Sequence, residues 1–337
     1  MNEKIAVITG ASGHIGYALI KELEAKKENF RILIRSKNKI FDGISCERAF
    51  GDVTDLKSLE KAFEGADTVY HLAGVIDLGT GNNEWTREVN VQGTINVVEA
   101  CKKSGVRRLI YASSVDILKP LPGNEMMTEA ICYNQDEVND GVYAQTKSEA
   151  TRYVLDNADD KLEVVVVMPG ACIGPYDFKV SSAGRMIRLV MHYGIPASLD
   201  FGAYNFVDVR DVAKGMIGAA DKGKTGECYL LTGEVITADE LIRLVARSSG
   251  RRAPRAKLPL WFVKPLAPLA EVFYKVSGQT PIFTRISIDV INRNSNFSYE
   301  KATKDFGYNP MGAKQSIKDT VAWIKATEDR PRKNKKR

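Results

Sequence analysis

Cysteine and histidine are scarce in these 337 residues, and neither is patterned. The five cysteines, Cys46, Cys101, Cys132, Cys172 and Cys228, contain no CxxC pair. An odd, scattered set argues against a disulfide framework or zinc knuckle and fits a reducing, cytoplasmic setting. Three dispersed histidines argue against a histidine-rich metal site, so no metal is expected. Long hydrophobic runs are missing too. No secretory pattern precedes the first apolar run at Ile5. The most apolar later stretch, Leu258 to Val276, is broken by Lys264, Glu271 and three prolines, which rules out a membrane span. It reads as an amphipathic helical segment that packs internally or lines a pocket.

Net charge is absent from the body of the chain. Lys and Arg number 48 against 42 Asp and Glu. The whole surplus sits in Arg330, Arg332, Lys333, Lys335, Lys336 and Arg337. Residues 1–329 are therefore formally neutral, which excludes a basic nucleic-acid-binding domain there. The tail, 329–337, reads as a disordered, solvated extension, with a weak role at an anionic membrane or on RNA left as the alternative.

What is present is an alternation of short apolar runs and helix-like stretches. Strands are expected at Ile5–Thr9, Arg31–Arg35, Thr68–Ala73, Arg108–Ser113 and Glu163–Met168. Helices are expected between them at His14–Ala25, Leu56–Phe63, Val91–Ser104 and Val142–Asn157. This rhythm predicts an α/β fold, a Rossmann-type doubly wound parallel sheet, over residues 1–170. Returns to it are expected at about 205–233, from a strand at Asn205–Val209, a helix at Asp211–Ala220 and a strand at Glu227–Leu231. Residues 171–204 and 234–328 read as a smaller, mostly helical substrate lobe.

The first strand runs into TGASGHIG, residues 9–16. Gly10 allows a tight turn, Gly13 lets backbone approach a pyrophosphate, and Gly16 lets the helix lie close to the sheet. The helix start offers unpaired N–H groups to phosphate. Gly10, Ser12, Gly13, His14, Ile15 and Gly16 thus form the expected dinucleotide cradle, although the spacing is GxxGxxG rather than GxGxxG. The second strand ends in Arg35, with no acid before Asp42. A guanidinium fork suits a 2′-phosphate, so NADP (NADPH) is favoured over NAD. The plainer reading is a solvated charge at a strand end.

In YAQTK, residues 143–147, Tyr143 and Lys147 share one helix face. The ammonium is expected to lower the phenol pKa from about 10, so that Tyr143 can pass a proton to or from a substrate oxygen. Thirteen tyrosines make a chance YxxxK unsurprising, and a second copy, Tyr17 to Lys21, reads as a partly buried aromatic beside a solvated lysine. Context separates them: the strand RLIYASS, residues 108–114, ends in Ser114, which can meet Tyr143 beyond the sheet and hydrogen-bond the oxygen on which charge develops.

These pieces occur together with GDVTD (51–55), YHLAG (70–74), VNVQGTINVVEA (89–100), MPGACIGP (168–175) and NFVDVRDVA (205–213). In this order they resemble the extended short-chain dehydrogenase/reductase family, the NAD-dependent epimerase/dehydratase superfamily. The nearest likeness is to its dihydroflavonol-reductase-like and 3β-hydroxysteroid-dehydrogenase-like branch. The resemblance implies that Asp52 and Val53 lie near the adenine, and that Leu72, Ala73 and Gly74 line the dinucleotide path. It implies that Asn90 completes the catalytic set, that Lys147 also holds the nicotinamide ribose, and that Pro169 and Cys172 sit near the nicotinamide. For Asp52 a turn acid, and for Asn90 a structural hydrogen bond or helix cap, remain the plainer readings. Family members commonly pair through helices at 91–104 and 142–157, so the resemblance also implies a homodimer.

The expected function is an NADPH-dependent carbonyl reductase, or the reverse alcohol dehydrogenase, acting on a small-molecule carbonyl or alcohol. A sugar-nucleotide epimerase or dehydratase holding NAD is the alternative, and Asp116, two positions after Ser114, matches the acid dehydratases place there. A catalytically silent NADP-sensing protein is a third reading. Pocket walls are expected from Val75–Gly81, Leu118–Asn139, Tyr176–Tyr204 and Pro259–Arg285, where Arg185, Arg188 and Arg285 either clamp a diphosphate or face water.

Overall fold

The structure, a computed structural model, describes residues 5–76, 83–130, 141–270 and 284–328, with Ile286 as backbone alone. Six strands in chain order build most of the main sheet: β1 (Ile5–Thr9), β2 (Phe30–Ile34), β3 (Glu47–Phe50), β4 (Ala66–His71), β5 (Arg108–Ala112) and β6 (Glu163–Pro169). With the strand Glu227–Leu231 beyond β6, the order is β3-β2-β1-β4-β5-β6 and then 227–231, every pairing parallel. This order reverses direction between β1 and β4, and ligands of such sheets bind in the crevice beyond that switch point.

Helices cover both faces, which is why the strands read as continuous apolar runs rather than alternating ones. Val7, Val69, Leu109, Val164 and Val166 pack on α2 (Leu56–Phe63), α4 (Gly93–Ser104) and α5 (Gly141–Asp156). The intervening residues Ala6, Ile8, Ile110, Val165 and Val167 pack on α1 (His14–Lys26) and α7 (Val209–Lys222). A fully buried aliphatic side chain contributes about 1.5–3 kcal/mol. The two-sided burial of β6 therefore anchors the C-terminal edge on which the loops stand. The short helix α3 (Asn83–Arg87) leads into a π-helical turn, Glu88–Gln92, before α4.

A second sheet of three short strands carries Ala203–Asp208 between Ala171–Ile173 and Glu234–Thr237. Behind it, α6 (Ser182–Tyr193) packs with the helices Ala238–Ser249 and Ala313–Glu328 in a separate apolar cluster.

Several expectations are corrected. The second strand stops at Ile34, so Arg35 belongs to the loop, and the third stops at His71, leaving Leu72 and Ala73 in the crevice. The strand Glu47–Phe50 is not foreshadowed, because an exposed edge strand of four residues needs no apolar pattern. The strand expected at Asn205–Val209 joins the small sheet, and within 205–233 only 227–231 returns to the main one. In the segment from Leu258, only Val263 and Ala267 are buried, whereas Trp261 and Leu269 are 76% and 69% exposed. Residues 271–276 of that segment, like the tail 329–337, lie outside the described residues.

The loops after β1 and β4 touch. Gly10 has φ +71°, and a Cβ there would stand 2.6 Å from the Ala73 nitrogen. Gly10→Ala is therefore expected to cost about 1–3 kcal/mol of stability, from a left-handed backbone and a clash with main chain. Denaturant unfolding checks this, and an unchanged midpoint would refute the account of the crevice.

Candidate functional site

The phosphate loop begins at Thr9, whose hydroxyl is fully buried and saturated. Its Oγ1 accepts from the N–H groups of Leu72 and Ala73, both at 3.2 Å, and lies 2.7 Å from Nδ1 of His71. On the other side of that ring, Nε2 is 3.0 Å from Oγ1 of Thr94, whose proton goes to the Asn90 carbonyl at 2.7 Å. A hydroxyl has one proton. Thr94 must therefore accept from Nε2–H, and Thr9 must donate to Nδ1. His71 is neutral in a single tautomer, and burial drives its pKa down to about 3.

Past Gly10 the chain turns into α1. Gly13 N-caps the helix with no side-chain cap, and a Cβ on Gly16 would strike the Gly10 carbonyl. The first-turn N–H groups thus face the crevice without a competing side chain, as an anion site requires. Ser12 lies half-buried in this turn, Ile15 packs against the α1-side core, and His14 Nε2 donates to the Pro175 carbonyl at 2.9 Å. Among the described residues His14 Nδ1 has no partner. These residues fit a dinucleotide phosphate.

Arg35 is 69% exposed and lies 3.7 Å from the Asp52 carboxylate. Asp52 also accepts from the backbone N–H and the hydroxyl of Thr54, both at 3.1 Å, so it is a turn acid as well as the partner of Arg35. Val53 is buried against Gly93, and its carbonyl accepts from Asn96 at 2.9 Å.

The π-helical turn places Asn90 inward. Its Oδ1 accepts from Val75 N at 2.8 Å, while Nδ2 donates to Val75 O at 2.9 Å and Thr146 Oγ1 at 3.1 Å. Asn90 is thereby a clamp on the loop after β4, the structural hydrogen bond given above as its plainer reading. A Cβ on Gly74 would come within 3.3 Å of Asn90 Oδ1 and 3.5 Å of Lys147 Nζ, so only glycine leaves this corner open.

Ser114, Tyr143 and Lys147 come together at the end of β5. Ser114 N-caps the 3₁₀ turn Val115–Ile117 and lies beside Tyr143. Lys147 is buried and donates to the Ala112 carbonyl at 2.7 Å and to the Tyr111 hydroxyl at 3.4 Å, over whose ring it stands. The expected electrostatics are corrected here. Burial, seconded by Asp116, pushes the Tyr143 phenol well above its ordinary value, because desolvation penalises the phenolate. Burial also lowers Lys147 to about 8. Its ammonium is drawn to a backbone oxygen rather than to the phenol one turn away.

Pro169 ends β6, and Cys172 reaches the Gly170 carbonyl at 3.6 Å with its thiol pushed up to about 12 by burial. Tyr17, of the second YxxxK, sits among Phe41, Tyr176 and Phe178, and Lys21 pairs with Glu24, a structural arrangement. Of the expected pocket walls, residues 77–81, 131–139 and 271–283 lie outside the described residues. Arg188 is engaged by Glu328 at 2.8 Å, and Arg185 donates to Val180 O and Ser182 Oγ while its Nε lacks a partner among the described residues. His71, Thr9, Thr94, Tyr111 and Tyr204 were not foreseen. The His71 position was visible within YHLAG, but nothing in sequence pairs it with Thr9 and Thr94.

A parallel sheet in this order, with a glycine loop at its switch point, is a Rossmann-type arrangement. Residues 6–231 match the model of the NAD dependent epimerase/dehydratase family, and the chain belongs to that family, within its extended short-chain dehydrogenase/reductase branch. It is 31% identical over 328 residues to the sterol demethylase protein B of Methylococcus capsulatus, covering 95% of this chain and 98% of that one. It is 28% identical to 3beta-hydroxysteroid-dehydrogenase/decarboxylase isoform 2 of Arabidopsis thaliana, covering 92% of this chain and 60% of that longer protein. The crystal structure of gox2253 matches with a TM-score of 0.82 at 30% identity, over 96% of this chain and 99% of that one. Among the described residues no helix is long and apolar enough to cross a membrane.

Neutral His71 gives a pH test. Its folded pKa of about 3 lies below the ordinary 6.5, so the unfolded chain binds the extra proton between these values. The stability from neutral His71 is complete above about pH 6.5 and is lost as pH falls toward 3. Unfolding free energies of the wild type and His71→Gln should therefore differ most above about pH 6.5, and the difference should shrink steadily as pH falls from about 6.5 toward 3. A constant difference would contradict the neutral assignment.

Proposed function

We propose that the protein is an NADP(H)-dependent oxidoreductase that reduces a ketone or aldehyde, or oxidises the matching secondary alcohol. Ser114, Tyr143 and Lys147 are its reacting set. The observation that carries this reading is their convergence beyond β5, with Tyr143 and Lys147 one turn apart and buried on α5 and Lys147 bonded to the strand end two residues before Ser114. The names of the sterol demethylase and hydroxysteroid dehydrogenase relatives favour a fused-ring alcohol or ketone as substrate class. Arg188, already spent on Glu328, speaks against a diphosphate clamp at that position.

The dinucleotide would rest on Gly10, Ser12, Gly13, His14, Ile15 and Gly16 by its phosphates, with Asp52 and Val53 at the adenine end. Leu72, Ala73 and Gly74 would line its path, and Pro169 and Cys172 its far end. Arg35 supports a 2′-phosphate, since a guanidinium matches phosphate geometry. When bound, the nicotinamide supplies or takes up a hydride. Tyr143 holds the proton that the substrate oxygen gains or loses. Its high pKa keeps it a phenol at neutral pH, able to donate to a carbonyl oxygen. Lys147, with a pKa of about 8, is mostly charged at neutrality and stabilises the phenolate left behind. Asn90 keeps the loop at Gly74 and Val75 out of their way.

Purified protein should oxidise NADPH faster than NADH against a panel of fused-ring and aryl ketones, and not consume either cofactor with nucleotide sugars. Tyr143→Phe should lower kcat by about 10²–10⁴-fold while NADPH still binds. Wild-type turnover in that variant would overturn the role of Tyr143, and a preference for NADH that of Arg35.

A further inference from the structure

Asp116 sits beside the proposed reacting set in a directed chain of hydrogen bonds. Ser114 Oγ donates to Asp116 Oδ2 at 3.0 Å and accepts from Asp116 N at 3.2 Å. The other carboxylate oxygen, Oδ1, accepts from the Tyr204 hydroxyl at 2.6 Å. Tyr204 comes from the small sheet, on the strand Ala203–Asp208, 88 residues further along the chain. Its ring is braced edge-on against Phe206. Both carboxylate oxygens are thus engaged by hydroxyl donors, which suits an orienting group better than a free general acid. Because Ser114 has a single proton and gives it to Asp116 while accepting from Asp116 N–H, its Oγ keeps one lone pair free to accept a further hydrogen bond.

We infer that Asp116 and Tyr204 are a positioning pair, which turns the Ser114 proton away from the reaction centre so that Ser114 meets substrate as an acceptor and the resting site is prepared for an alcohol rather than a ketone. This rests on the oxidoreductase reading above. An alcohol can donate to Ser114 and accept from Tyr143. A ketone oxygen has no proton and would face the Ser114 lone pair until that hydroxyl gave up its bond to a carboxylate. Bonds to charged acceptors are the stronger kind, and giving one up corresponds to roughly tenfold to hundredfold in an equilibrium constant.

Asp116 also acts on Tyr143 electrostatically. Around the Tyr143 hydroxyl lie Ser114 and Asp116 from the end of β5, Tyr111 from β5 and Cys172 from the small sheet, with Lys147 one turn along its own helix. Tyr204 is faced by Asp116, Tyr143 and Arg293. Burial is the larger cause of the raised phenol pKa, and Asp116 adds to it with a negative charge, so its removal should make the phenolate easier to form.

The test uses the full chain with Tyr143 replaced by 3-fluorotyrosine, whose ¹⁹F resonance reports the phenol titration without any substrate. Asp116→Asn, which keeps the side-chain shape, should move that titration down by about one pH unit or more. In the chain with its natural Tyr143, the affinity ratio of 2-decalol to 2-decalone, measured by competition in the cofactor-loaded protein, should fall about tenfold in Asp116→Asn. It should fall less, in the same direction, in Tyr204→Phe. Should Asp116→Asn fail to fold, Tyr204→Phe leaves the carboxylate in place and carries the affinity test. An unmoved titration, or an unmoved affinity ratio in a folded variant, overturns the pair. Absence of turnover by the wild type against every carbonyl overturns the functional reading instead, and the ¹⁹F titration still decides the role of Asp116.

Discussion

The Thr9 hydroxyl ties the switch point together. Two backbone N–H groups from the loop after β4 end on one oxygen at the close of β1, and the proton of that oxygen is fixed by His71. The loops can then approach so closely that Gly10 has room for no side chain. The glycine turn into α1, the Gly74 corner and the crevice between them all stand on this contact. It is a fully buried polar junction, and such junctions stabilise only when every donor and acceptor is satisfied.

From that junction the same network runs toward the chemistry. His71 gives its Nε2 proton to Thr94, Thr94 gives its own to the Asn90 carbonyl, and Asn90 clamps Val75. Tyr111, whose ring packs against His71, accepts a hydrogen bond from Lys147. Burial then acts oppositely on the two proton carriers: it raises the phenol of Tyr143 and lowers the ammonium of Lys147.

Much of this was legible in the chain. Strands buried on both faces must be apolar throughout, so β1, β5 and β6 announced themselves, and GxxGxxG after β1 marked the turn. The i, i+4 spacing put Tyr143 and Lys147 on one face before any coordinates. Legibility failed where local pattern carries no burden. The edge strand Glu47–Phe50 is exposed, and the outward face of the helix at Trp261 contradicts its apolar composition. The sign of the Tyr143 shift failed too, because desolvation depends on what the rest of the fold lays over a residue.

The sequence by itself determined the doubly wound sheet, the position of the phosphate loop and the residue types at the end of β5, because period, glycine spacing and helix geometry are local properties. Only the tertiary structure decided which partners those residues have. His71 between Thr9 and Thr94, Asn90 on Val75, and Tyr204 on Asp116 join positions tens of residues apart. Hydrogen-bond direction and burial arise only when such distant segments are packed together, and burial there shifts His71, Tyr143 and Lys147.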